Sequence, residues 1–363
     1  WSSDVCSSDL EAIPVKEIQE AFDHIVHTNP LEILQYGPMS GDAHLAEQTI
    51  DRLINVRHMP SEGQHLIISN GAGQDLGLVP RTICSDGDEV YMDAYTFTSG
   101  INAVRNAGAI PVGIAMDEDG MIPEALAEAA KSGKGKYIYL IPNFQNPTGR
   151  LLAEDRRYQL AKRARELDLL ILEDDPYGAL SYDGETPPSI RSLAPERTVY
   201  MGSFSKVLAP GLRLGYIVAP AALRAKLVQA KQATDLHTAT LSQMAVYDVV
   251  KDGFLNNHIP TIRALYREQC AAMLSALAQY MPEGVRWNKP RGGMFLWVEL
   301  PKGMNASAVL AKAVEQNVAF VPGAPFFAAD PVIESLRLAF VTVPPPRIEE
   351  GVKRLADVIR ASL

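Results

Sequence analysis

The sequence is short of cysteine, short of basic charge and without long hydrophobic runs, and each shortage excludes something. Three cysteines in 363 residues, Cys6, Cys84 and Cys270, are too few and too scattered for a disulfide framework or a zinc knuckle. No metal site is expected, and a reducing cytoplasm is the expected compartment. Lysine and arginine number 34 against 43 acidic residues, a net charge of −9 that argues against a nucleic-acid or anionic-membrane partner. A small anionic ligand is still allowed where positive charge is local. No apolar stretch approaches the roughly 20 residues of a membrane-spanning helix; the best, 137–141 and 169–172, are strand-sized. The start has neither the basic segment nor the apolar run of a signal peptide, and it repeats Ser-Ser-Asp at 2–4 and 7–9. Residues 1–10 are therefore expected to be non-native.

What is present is the balance of a globular chain, 47% hydrophobic and 21% charged, with 26 glycines and 25 prolines for many tight connections. The length exceeds the roughly 100–200 residues of one domain. Between about 66 and 219 short apolar or β-branched runs alternate with helical patterns, which predicts βαβ units and a mostly parallel sheet. Strands are expected at 66–69, 89–92, 110–115, 136–141, 169–173, 198–202 and 214–219. Residues 153–167 put Leu160, Ala161, Ala164 and Leu167 on one helical face, so the sheet is expected to be covered on both sides. After Pro220 helices are predicted at 221–233, 242–252, 259–280 and 306–316, with strands at 293–299 and 336–340. The fold class is thus α/β, a mostly parallel central sheet with helices on both faces, plus a smaller α+β domain. The boundaries fall at 37–249 for the large domain and 250–363 for the small one, which 11–36 is expected to join.

In an open parallel sheet a ligand sits beyond the carboxyl ends of the strands, so the polar residues just after each strand carry the functional signal. Asn70-Gly71-Ala72-Gly73-Gln74 opens a helix after the first strand, where free amides make an anion seat. Asn146 lies in Phe144-Gln145-Asn146-Pro147-Thr148-Gly149, after the fourth. Asp174, Asp175, Pro176 and Tyr177 follow the fifth; a carboxylate at a buried strand end needs a positive partner, whereas an exposed acidic turn suits Asp175 better. Ser203-Phe204-Ser205-Lys206 follows the sixth, with Arg213 seven residues beyond the lysine. A lysine set between small hydroxyl residues at a strand end, near a fixed guanidinium, is a candidate Schiff-base lysine. An anion seat, a carboxylate, an amide, a lysine and an arginine are what a phosphorylated pyridine aldehyde requires.

With these motifs in this order, from about Glu11 onward, the sequence resembles the class I/II aminotransferases of fold type I, and within them the 2-aminoadipate and kynurenine aminotransferase branch that shares the wording Phe-Gln-Asn-Pro-Thr-Gly. The resemblance implies pyridoxal 5'-phosphate as cofactor, held by Lys206 as an internal aldimine, with the same lysine moving the Cα proton. It implies that Asp174 pairs with the pyridine nitrogen and that Tyr177 and Asn146 hydrogen-bond the phenolic oxygen. The amides of Ala72 and Gly73 beside Gly71, the hydroxyls of Ser203 and Ser205, and Arg213 match the phosphate positions. Phe97 stands where an aromatic ring stacks on the cofactor, although relatives often have tyrosine there. Arg337 matches the arginine that binds the substrate α-carboxylate, and a lone arginine in an apolar strand needs an anion. Tyr36 matches a tyrosine that reaches the phosphate of a neighbouring subunit, which implies a homodimer with a shared active site.

Two departures accompany the resemblance: Ala72 and Gly73 replace residues that often bring side-chain phosphate contacts, and residues 1–10 do not resemble the family's N-terminal arm. The implied activity is transfer of an amino group between an amino acid and a 2-oxo acid in two half-reactions. A C–S β-lyase on the same fold uses the same lysine, aspartate and arginine and is the first alternative. The effector-binding part of an aminotransferase-like transcription regulator is the second, disfavoured by the negative charge. The preferred donor is not legible.

Overall fold

The computed structural model describes residues 9–57, 59–60 and 66–363, so most of the tract expected to be non-native lies outside the described residues. Short runs rich in Ile, Val, Leu and Tyr form the strands β1 (Leu66–Ser69), β2 (Glu89–Asp93) and β3 (Ile110–Ile114), then the small hairpin β4 (Met116–Asp117) and β5 (Gly120–Met121). They continue as β6 (Gly135–Leu140), β7 (Leu170–Asp174), β8 (Thr198–Ser203) and β9 (Gly215–Val218). Seven of these make one sheet in the order β1-β9-β8-β7-β6-β2-β3. Pairing is parallel across β3, β2, β6, β7 and β8, and β9 alone runs against both of its neighbours. The alternation of strand and helix in the sequence is thus the βαβ pattern of a mostly parallel sheet, as expected.

The sheet is covered on both faces because its strands are apolar on both. Ile67, Val90, Met92, Tyr139 and Leu172 point to the side covered by helices Ala72–Ile83, Thr98–Asn106 and Ala221–Asp235. Their neighbours Tyr91, Ile138, Leu140 and Ile171 meet Leu160, Ala161 and Ala164 of helix Glu154–Glu166 on the other side. Ile68, Tyr200 and Val218 meet Leu45 and Val246 there.

The reversed strand decides what reaches the carboxyl edge. Gly215 at the start of β9 pairs with Ser69 at the end of β1 and with Ser203 at the end of β8. The residues just before β9, Arg213 among them, therefore arrive where the parallel strands finish.

A second, antiparallel sheet follows: β10 (Arg286–Trp287), β11 (Phe295–Glu299), β12 (Val321–Pro322) and β13 (Ser335–Ala339), in the order β10-β11-β13-β12. Leu296, Val298, Leu336 and Leu338 share one core with Ile348, Val352, Leu355 and Ile359 of helix Pro345–Arg360, whose apolar residues recur at helical spacing. Arg337 lies opposite Trp297 in the register, so the alternate residues Phe295, Trp297 and Arg337 line the other face. This is the smaller α+β unit expected from the sequence.

The N-terminal helix Val15–Thr28 lies along helix Thr240–Val250, with Nδ1 of His24 3.1 Å from the Asp248 carboxylate. Asp9, set aside on sequence grounds, is buried: its N–H donates to the Tyr266 hydroxyl at 3.2 Å and its Oδ2 accepts from Gln269 at 2.6 Å. Among the described residues no helix is long and apolar enough to cross a membrane.

Candidate active site

Four strand ends meet at the carboxyl edge, and the first supplies an anion seat. Gly71, at φ +88°, turns the chain from β1 into helix Ala72–Ile83, a conformation that glycine adopts without steric cost. The opening amides of that helix are left without intrahelical acceptors and carry the positive end of its dipole. Arg213, itself left-handed at φ +54°, lays its guanidinium across this turn: Nη2 donates to the Asn70 carbonyl at 3.3 Å. A Cβ on Gly71 would fall 2.9 Å from that nitrogen, and one on Gly215 would fall 2.8 Å from the Gly71 Cα. Two bare backbones thus bring the guanidinium and the helix terminus together. At the end of β8, Ser203 Oγ accepts the Ser205 N–H at 3.0 Å and points toward the Leu214 carbonyl, next to Arg213 in the chain.

Lys206 follows in the turn after β8 and is 8% exposed, buried for a lysine. Asp174 ends β7 and is 2% exposed. Its Oδ2 accepts the Tyr139 hydroxyl at 2.8 Å, while its Oδ1 is buried with no hydrogen-bond partner among the described residues. Burial pushes this carboxyl up to about 7, against the pull of the Tyr139 hydrogen bond. A carboxylate that is costly to ionise alone is one that a nearby cation would hold ionised.

Asn146, 1% exposed, is similarly half-satisfied: Oδ1 accepts from Arg337 Nη1 at 2.9 Å, and Nδ2 is buried with no partner among the described residues. Leaving such atoms unsatisfied costs about 1–3 kcal/mol each. An orphaned acceptor on Asp174 and an orphaned donor on Asn146 suit a planar group with a ring N–H and an anionic oxygen, as pyridoxal phosphate has. The residues present therefore fit that cofactor, with the anion seat for its phosphate. Tyr177 is buried, its ring edge-on to Phe295 at 5.8 Å, and Phe97 caps helix Thr98–Asn106, half-buried against the main core.

Arg337 is 4% exposed in the middle of β13. Its guanidinium carbon lies 4.3 Å from the Phe295 ring centroid and 5.4 Å from that of Phe326. Aromatic faces attract a guanidinium without consuming its hydrogen-bond donors. The cluster continues outward: Trp297 stacks on Tyr95 at 5.6 Å, and Phe327 lies 5.1 Å beyond.

Tyr36 is not brought into this assembly. It is 76% exposed, with its ring edge-on to His237. Asp175 requires a correction, since it is not an exposed acidic turn but a buried carboxylate. It accepts from Asn143 Nδ2 and the Gly178 N–H, both at 2.9 Å, and from the Tyr200 hydroxyl at 3.0 Å, and it pairs with Arg57. The positive partner that makes its burial possible comes from far upstream, where sequence proximity gives no hint of it. Tyr139 was missed as the partner of Asp174; its place one residue before the end of β6, next to β7, is the signal that could have found it.

Residues 1–355 match the family described as aminotransferase class I and II. An aromatic-amino-acid aminotransferase of Thermococcus litoralis is 39% identical over 97% of this chain and 86% of its own length. A 2-aminoadipate transaminase of Thermus thermophilus is 40% identical over 97% of this chain and 88% of its own. Among solved structures, the kynurenine aminotransferase of Pyrococcus horikoshii in complex with PMP superposes with a TM-score of 0.96 at 38% identity, covering 100% of this chain and 91% of that one.

Proposed function

Because the chain belongs to the class I and II aminotransferases, we propose that Lys206, Asp174, Asn146, Tyr177 and Arg337 carry its chemistry. The protein is a pyridoxal-phosphate-dependent aminotransferase that acts on amino-acid and 2-oxo-acid substrates. When bound, pyridoxal phosphate supplies an aldehyde that takes up the amino group and a ring that withdraws electrons. Lys206 takes the proton from the substrate Cα and returns one within the same site, its reach set by the turn after β8. Asp174, through its unpartnered Oδ1, holds the proton on the ring nitrogen. Asn146 Nδ2 and the Tyr177 hydroxyl orient the ring by its phenolic oxygen. Phe97 stacks on the ring. The amides of Ala72 and Gly73 past the Gly71 turn, with Ser203, Ser205 and Arg213, hold the phosphate, and Arg337 holds the substrate carboxylate.

The observation that carries this reading is the pair of buried orphans, Asp174 Oδ1 at the end of β7 and Asn146 Nδ2 in the loop that follows the adjoining β6. The relatives' names offer aromatic and 2-aminoadipate donors. The ring cluster of Phe295, Phe326, Trp297 and Tyr95 beside Arg337 favours an aromatic side chain. Exposure of Leu31, Leu34 and Tyr36, at 84%, 84% and 76%, supports a homodimer in which Tyr36 serves the partner's site. Free Cys84 and Cys270 are compatible with a reducing cytoplasm.

Lys206→Ala tests the assignment. Wild type mixed with borohydride is expected to fix the cofactor on Lys206, and the variant is expected to fix none; an adduct on another lysine overturns the role. A panel of donors with 2-oxoglutarate reads the substrate class, and release of ammonia and pyruvate from a cysteine conjugate in place of oxo-acid-dependent turnover would favour the β-lyase.

A further inference from the structure

Lys231 has no accessible surface at all, an unusual state for an ammonium group that no step above uses. It lies one turn past Leu227 on the inward face of helix Ala221–Asp235, and its Nζ is 3.1 and 3.0 Å from the two carboxylate oxygens of Asp235. Asp235, half-buried, closes that helix, where the dipole disfavours an acid, and a pair whose ammonium is fully buried seldom repays the loss of hydration.

The pair does hold something. Asp235 Oδ2 accepts from Asn70 Nδ2 at 2.5 Å, across 165 residues of sequence. Asn70 is the residue before the Gly71 turn, and its main-chain atoms are engaged with the same seat. Its carbonyl accepts from Arg213 Nη2 at 3.3 Å, and its N–H donates to Gln74 Oε1 at 2.9 Å. A rotation of Asn70 would move the guanidinium and the first turn of helix Ala72–Ile83 together.

We propose that Lys231 and Asp235 are positioning residues for the phosphate of the cofactor, acting through Asn70. The ion pair fixes the Asn70 side chain, the Asn70 main chain in turn holds the Arg213 fork and the Gly71 turn, and none of these contacts involves the ring end at Asp174, Asn146 and Tyr177. The inference rests on the reading that Gly71 and Arg213 seat the phosphate, and it predicts a loss confined to that end of the ligand.

The test is the dissociation constant of pyridoxal phosphate against that of pyridoxal, which lacks the phosphate, read by absorbance on cofactor-stripped protein. Lys231→Met is expected to raise the constant for pyridoxal phosphate about tenfold, or ~1.4 kcal/mol, and that for pyridoxal less than about twofold. Asn70→Ala leaves the ion pair whole and is expected to give the same selective loss, and it decides the question by itself if Lys231→Met does not fold. An equal loss for both ligands, or no loss in either variant, overturns the proposal. Arg213→Ala separates the two levels. If it too spares the preference for the phosphorylated ligand, the phosphate seat has been misplaced. If it erases the preference while Lys231→Met and Asn70→Ala do not, only the positioning role falls.

Discussion

The two arginines proposed for the two ends of this site are built in opposite ways. Arg213 is exposed, left-handed in backbone, and set among amides and hydroxyls that share its task. Arg337 is buried on a regular strand, backed by phenylalanine rings, with Asn146 as a hydrogen-bond acceptor. Many weak donors in a wet rim suit a group that stays. A single charge in a low-dielectric wall suits a ligand that must be bound strongly when present and released each cycle, because one contact then decides both states.

This contrast can be broken at either end. The largest effect is expected at the buried arginine: Arg337→Ala should lower kcat/KM about 10³-fold, roughly 4 kcal/mol, with cofactor affinity unchanged. Equal loss of cofactor binding would mean that the two ends are not separate. Asp174→Asn keeps shape and removes the ring-nitrogen charge, and kcat should fall about 10²-fold or more, with a shifted absorbance band for the bound cofactor. Arg213→Ala should be milder, raising the cofactor constant about tenfold while kcat at saturating cofactor stays within about twofold; a collapse of kcat would show that the exposed arginine also orients the ring.

The smallest effect is on the pH dependence of stability. Burial raises Asp174 and Asp93 to about 7 and Asp75 to about 8, from an ordinary value of 3.8. The folded protein thus keeps protons that the unfolded chain gives up. Stability from these groups is complete below their ordinary value and drains away as pH climbs through 7 and 8. In cofactor-free protein, Asp174→Asn should flatten the fall of Tm between pH 5 and 9 by a few degrees. An unchanged slope would place the Asp174 titration elsewhere.

The local part of this architecture was legible. Strands such as β7 and β8 lie within a residue or so of their sequence-based positions, because apolar runs bounded by Gly, Asp and Pro carry their own limits. Motifs that follow strand ends are local too, which is why Lys206, Asp174 and Asn146 could be named from wording alone. Pairings that depend on chain reversal were not legible. The antiparallel pairing of β9 with β1, the Arg57 partner of Asp175 and the Asn70–Asp235 link join residues far apart in sequence, and nothing in the local pattern of either residue encodes the other. The exposed turn expected for Asp175 fails for that reason: Arg57, Asn143 and Tyr200, which make its burial possible, are distant in sequence.

The touching glycines at 71 and 215 leave the proposed phosphate seat closed on the side of β9. Any side chain added at Gly215 would strike the Gly71 backbone, whereas a Cβ at Gly73 would meet nothing within 4 Å. If this turn seats the phosphate as proposed, a new donor can be added at the exposed start of helix Ala72–Ile83 without a clash against the protein. The strand behind it is closed to such trials, so the two sides of one small seat have different freedom to vary.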